Sequence, residues 1–156
     1  MKTLAAPAGA PVGHGATYSA HPVGSAVALE VIRLYEEGGV LANGRKVAPA
    51  FAAGLDALLA HPLVGDSRHR GLLGALELVS DKATKRGFDA SLGLSERISK
   101  AAYRNGIVFR AFGDNILGFA PALTFTEDEF AQMFARLKKT LDEVLDAPDV
   151  RAALAA

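Results

Sequence analysis

Cysteine is absent from this chain of 156 residues, which excludes disulfides and thiolate metal sites. Histidine is scarce at four residues, and His14 and His21 have no carboxylate at ligand spacing. A turn and helix-cap role is expected of them, and a bound metal is not. Charge excess of either sign is also missing, since 17 basic and 17 acidic side chains cancel. That removes the electrostatic case for nucleic acid or an anionic membrane as main partner. A chain this neutral is prone to self-association, which suits a subunit better than a monomer. No hydrophobic run approaches a membrane span. The apolar stretch within residues 1–11 is too short, and too broken by Pro and Gly, for a secretory signal. A cytoplasmic protein is the default expectation.

What is present is ordinary globular composition, half hydrophobic and 22% charged. Residues 1–13 are rich in Ala, Pro and Gly without periodicity and read as a flexible leader. Pro22 suits the first position of a helix running to about Glu37, apolar on nearly every face and therefore expected to be buried. Gly38-Gly39 stops it. A second helix is expected over residues 41–60, with Val47, Phe51 and Leu55 on one stripe and Pro49 kinking it or marking its start.

Residues 64–70 and 72–79 read as two strands joined through Gly71, followed by a polar loop over 81–91. A third helix spans about 92–105. Residues 107–110 and 116–119 suggest a hairpin around Gly113-Asp114-Asn115. Thr126 and Glu129 have capping-box spacing at the head of a last helix ending near Leu145. The order implies an α+β fold, an antiparallel sheet of short strands covered by helices.

Three segments in register resemble the class III (fold type I) pyridoxal-phosphate-dependent aminotransferases, notably the amine and β-amino acid:pyruvate group. The first, His14-Gly15-Ala16-Thr17-Tyr18-Ser19-Ala20-His21-Pro22, is similar to HGxTYSGHP. The second runs from His61-Pro62-Leu63-Val64-Gly65 through Arg70-Gly71-Leu72-Leu73-Gly74 to Glu77-Leu78. The third runs from Asn105-Gly106 through Arg110 and Pro121 to Thr126-Glu127. The sequence departs from the pattern at Val12, usually aromatic, and at Ala20, usually glycine.

The resemblance implies a division into residues 14–39, the end of a large cofactor-binding domain with its connecting helix, residues 40–147, a C-terminal α+β domain, and a tail over 148–156. It implies that Thr17 and the Ala16 amide touch the phosphate of pyridoxal 5'-phosphate bound by a partner subunit, in a homodimer. It further implies that Arg110 takes the carboxylate of an amino or keto acid substrate. Read from the residues alone, Thr17 or Ser19 caps the following helix, and Arg110 pairs with Asp114 at a strand end.

The chemistry of that cofactor requires a buried lysine of lowered pKa. All seven lysines of this chain lie in the leader, in polar loops or on polar helix faces. The chain is therefore expected to be the C-terminal portion of such an enzyme, without its catalytic lysine and inactive alone. With the large domain absent, the apolar helix after Pro22 is expected to drive dimerisation or aggregation. A stand-alone, non-catalytic assembly module is the alternative from another class. A class III aminomutase acting on glutamate semialdehyde is a nearer one, against which Tyr18-Ser19-Ala20-His21-Pro22 argues.

Overall fold

A computed structural model describes residues 15–113 and 115–154. They fall into two units divided between Gly38 and Gly39. The described part of the first is a tight turn followed by helix α1 (Pro22–Glu36), with Pro22 in its first turn as its fixed φ favours. The helix contributes no buried residue, and Val23, Val27, Leu29, Ile32 and Tyr35 are all exposed. The expectation of a buried helix fails because no described residue covers these side chains.

The second unit is a four-stranded antiparallel sheet with helices on one face, the α+β layout expected. Helix α2 (Val40–Ala57) continues through Pro49, which therefore does not mark its start. It buries Val47, Phe51 and Leu55 and ends in a 3-10 turn at Leu58–Ala60. Strands β1 (Val64–Arg70) and β2 (Leu73–Leu78) form a hairpin, Arg70 opposite Leu73, in which Gly71 takes the left-handed φ of +58° that a two-residue turn needs. After the polar loop comes helix α3 (Leu94–Arg104), two residues later than expected. A 3-10 turn at Ala90–Leu92, capped by Asp89 on the Ser91 amide at 2.8 Å, occupies the approach.

Strand β3 (Arg110–Phe112) lies three residues downstream of the expected position, and β4 is Ile116–Phe119. The cause is the stop of α3. Ile107 N–H donates to Ala102 O at 3.0 Å and Gly106 N–H to Tyr103 O at 3.1 Å, with Gly106 at φ +72°. That double bond across the helix end consumes Ile107 in the cap rather than in a ladder.

The sheet order is β1-β2-β4-β3, so β1 and β3 are the edges. A bulge interrupts β1 between Val64 and Asp66. Helix α4 (Glu127–Leu145) opens with the foreseen capping box, Glu129 N–H to Thr126 Oγ1 at 3.3 Å and Thr126 N–H to Glu129 Oε2 at 2.8 Å. Residues expected as a tail form α5 (Pro148–Ala153), whose Val150 is fully buried.

Period-2 alternation assigns the two faces of the sheet. Leu76, Leu78, Leu117 and Phe119 point into the core with Phe51, Leu55, Ile98, Phe130 and Leu137. The close approach of α2 to β2 depends on Gly74, where a Cβ would meet Leu55 Cδ1 and lie 2.9 Å from Phe51 Cζ. Asn43 ties α2 to the segment after β4, donating to Leu123 O at 2.7 Å and Phe125 O at 3.0 Å. These bonds fix one wall of the site described next.

Candidate functional site

Arg110 opens β3 opposite Gly118 on β4, and Phe112 lies opposite Ile116. Ala111 between them packs on the core, so alternation puts Arg110 and Phe112 together on the other face, which no described helix of the second unit covers. Both border an open cavity of about 720 Å³ between the start of β3 and the first turns of α4. Its lining is mostly apolar, with Val108, Phe119, Pro121, Phe125 and Met133 among the contributors.

Three charged side chains reach this cavity, and two are engaged. Glu129 accepts from Thr126 within the capping box. Arg136 donates to Gly106 O at 2.7 Å, closing the end of α3. Arg110 is exposed and forms no ion pair among the described residues, while its guanidinium carbon stands 5.5 Å from the centre of the Phe112 ring. Asp114, the alternative partner for Arg110, lies outside the described residues. A planar fork of donors, unpaired among the described residues at the rim of a mostly apolar cavity, matches a small organic carboxylate with an apolar body.

In the first unit the turn before α1 is closed by Ser19. Its N–H donates to Ala16 O at 2.9 Å and its Oγ accepts from Ala16 N–H at 2.8 Å. Neither Thr17 nor Ser19 caps the helix. His21 is the N-cap residue and makes no side-chain cap bond. Thr17 is exposed, and its hydroxyl has no partner among the described residues. The Ala16 amide, by contrast, is already satisfied by Ser19. Ala20, which replaces the usual glycine, sits at φ +60°, the left-handed region that explains why glycine suits that position. His14 lies outside the described residues.

The six described lysines are all exposed. Lys82 Nζ donates to Leu59 O at 2.7 Å, Lys85 Nζ to Gly65 O, and Lys100 and Lys138 pair with Glu96 and Asp142. The one buried histidine among the described residues, His61, accepts from Leu63 N–H at Nδ1 and holds Nε2 3.3 Å from Asp142 Oδ1, without a well-aligned bond. Burial pushes its pKa down, and the Asp142 carboxylate opposes that only in part. Among the described residues no cluster of three or more His, Asp or Glu is placed to hold a metal. No helix there is long and apolar enough to cross a membrane.

The contribution of Phe112 to the site was not foreseen. Its signal was the Arg-x-Phe spacing, which places both side chains on one face once the strand is set at residues 110–112.

The family profile described as aminotransferase class-III matches residues 2–141. An uncharacterized aminotransferase of Sinorhizobium fredii is 42% identical over 136 residues, 85% of this chain and 29% of that protein. The diaminobutyrate–2-oxoglutarate transaminase of Halomonas elongata is 40% identical over 88% of this chain and 30% of its own length. The putrescine–pyruvate aminotransferase of Pseudomonas aeruginosa is 37% identical over 86% and 29%. Among solved structures, an omega-aminotransferase of Paracoccus denitrificans superposes with a TM-score of 0.80 at 40% identity, covering 85% of this chain and 29% of that one. The chain thus spans about 30% of the length of the relatives it matches. With the motif order, the antiparallel α+β sheet and this match over most of its length, the chain belongs to the class-III aminotransferases.

Proposed function

We propose that this chain is the C-terminal portion of an enzyme that moves an amino group between an amine or amino acid and a keto acid. In it, Arg110 receives the substrate carboxylate. The observation that carries the reading is the guanidinium of Arg110, without an ion pair among the described residues, at the rim of a mostly apolar cavity whose other charges are already engaged. The relatives named for pyruvate and 2-oxoglutarate use acceptors that carry such a carboxylate.

Pyridoxal 5'-phosphate supplies, when bound, the electron sink that lets an amino group leave one carbon skeleton for another. The residues present fit one edge of it. The free hydroxyl of Thr17, ahead of the positive end of α1, suits a phosphate oxygen. The Ala16 amide joins that contact only if Ser19 Oγ gives up its bond. We assign the phosphate to a cofactor held mainly by a partner subunit of a homodimer, and residues 14–39 to the end of the large domain that precedes the α+β domain at 40–147. The exposed setting of the described lysines leaves the covalent attachment of the cofactor to other residues of the complete enzyme.

The test is direct. Pyruvate titrated into the chain should perturb the Arg110 side chain and bind at least tenfold more weakly to Arg110→Gln. Unchanged binding would remove the carboxylate role. Pyridoxal phosphate followed by borohydride should fix no single lysine stoichiometrically, and such fixation would show that this chain holds the attachment site after all.

A further inference from the structure

We propose that Phe112 is a positioning residue for Arg110. Given room by the missing side chain at Gly118, its ring holds one face of the guanidinium and leaves the edge donors free for a carboxylate. This rests on the reading of Arg110 as the carboxylate site.

Two observations point the same way. The guanidinium carbon stands 5.5 Å from the ring centroid, within the reach of a cation–π contact. Gly118 is the cross-strand partner of Arg110, and a Cβ built on it would lie 3.0 Å from Phe112 Cε2. The Phe112 ring therefore leans diagonally across the strand pair over the bare backbone of Gly118, toward the residue opposite Gly118. Any larger residue at 118 would push the ring away.

The chemistry of the pair follows from the shape of each group. A guanidinium lying against a ring still directs its five N–H donors outward in its own plane. Ring contact and bidentate capture of a carboxylate thus use different parts of Arg110 and do not compete. An unsupported arginine at an exposed strand end samples many rotamers and loses that freedom on every binding event. With the ring in place, part of the ordering exists before the ligand arrives. The ligand class is a small monocarboxylate with an apolar body, because the rest of the wall is mostly apolar and its other charges are engaged.

The experiment uses the full chain with 15N-labelled arginine, following the Nε–Hε resonance of Arg110, assigned by its disappearance in Arg110→Lys. Ring current should shift this proton upfield. The shift should vanish in Phe112→Leu and persist in Phe112→Tyr. Pyruvate should bind Phe112→Leu about two- to fivefold more weakly than the parent, the worth of an exposed cation–π contact, and Phe112→Tyr within error of it. A merely structural role would be restored by leucine and would not track the ring. Phe112 is 43% exposed, so its replacement should leave the backbone amide spectrum of α2, α3 and α4 unchanged. If Phe112→Leu binds pyruvate as tightly as the parent while Arg110→Lys loses it, the positioning role is wrong and the carboxylate role stands. If Arg110→Lys loses nothing, the carboxylate role fails and takes this inference with it.

Discussion

Replacing Gly74 by alanine adds a single methyl group, yet it should destabilise the second unit measurably. The new Cβ would fall 2.9 and 3.0 Å from Phe51 Cζ and Cε1, and closer still to Leu55 Cδ1. Ordinary carbon contacts are about 3.5–4.0 Å, so something must move by half an ångström or more. Phe51 and Leu55 are both fully buried, so a retreat by either disturbs its packed neighbours in the core. Overpacking of this kind costs about 1–3 kcal/mol. Loss of glycine's freedom in the unfolded chain returns about 0.4–1 kcal/mol. Taken at the middle of each range, the net is a loss of about 1.3 kcal/mol, or a Tm lower by about 5 °C for a unit of this size.

Thermal and urea unfolding followed by circular dichroism would measure it. Gly113→Ala, with nothing within 4 Å of its added Cβ, is the control and should change stability by less than about 0.5 kcal/mol. The decisive variant is the double replacement. Leu55→Ala alone should cost about 2–5 kcal/mol, but it empties the space the new methyl needs. The two should therefore be non-additive by about 1 kcal/mol in the favourable direction. Additivity within about 0.5 kcal/mol would refute the steric reasoning, because uncoupled sites behave that way.

Two further outcomes are expected. His61 is buried with its pKa depressed below its usual value near 6.5, by burial first and against the partial support of Asp142, with Lys138 and Lys82 acting in the same direction as burial. The unfolded chain then binds more protons than the folded one. Stability should be complete above about pH 6.5 and fall as pH drops through that value toward the folded pKa. Urea midpoints between pH 7.5 and 5.0 should show this slope in the parent and not in His61→Gln. Thr126→Ala removes the hydroxyl that receives the Glu129 amide and should cost about 0.5–2 kcal/mol, whereas Thr126→Ser should cost little; equal urea midpoints for all three chains would contradict the cap.

Much of the second unit was legible because its signals are local. The Thr126–Glu129 spacing fixed the start of α4, and Gly71 fixed the first hairpin turn. What was not legible is non-local. Nothing in the sequence states that β4 pairs with β2, because some forty residues and a helix separate them and no turn chemistry links them. The misplaced β3 has a different cause. Ile107-Val108-Phe109 is as apolar as a strand, but the stop of α3 takes Ile107 first, and the run bridges helix to sheet instead. Arg110 was singled out from its motif, whereas its ring neighbour depended on the correct strand position. In the first unit the helix was legible and its environment was not, since an all-round apolar pattern asks for a cover without naming it.

The edges of the sheet bear on how this chain behaves at high concentration. An exposed strand edge is a template for unlimited addition of further strands, the route to fibrils. Here the long edge, β1, carries Asp66, Arg68, His69 and Arg70 and is broken by a bulge, while the other, β3, is only three residues long. Both edges are poor templates. Association of this chain, whose net charge is zero, should therefore run through the side chains of α1, giving assemblies that dissolve in mild detergent and bind no amyloid dye.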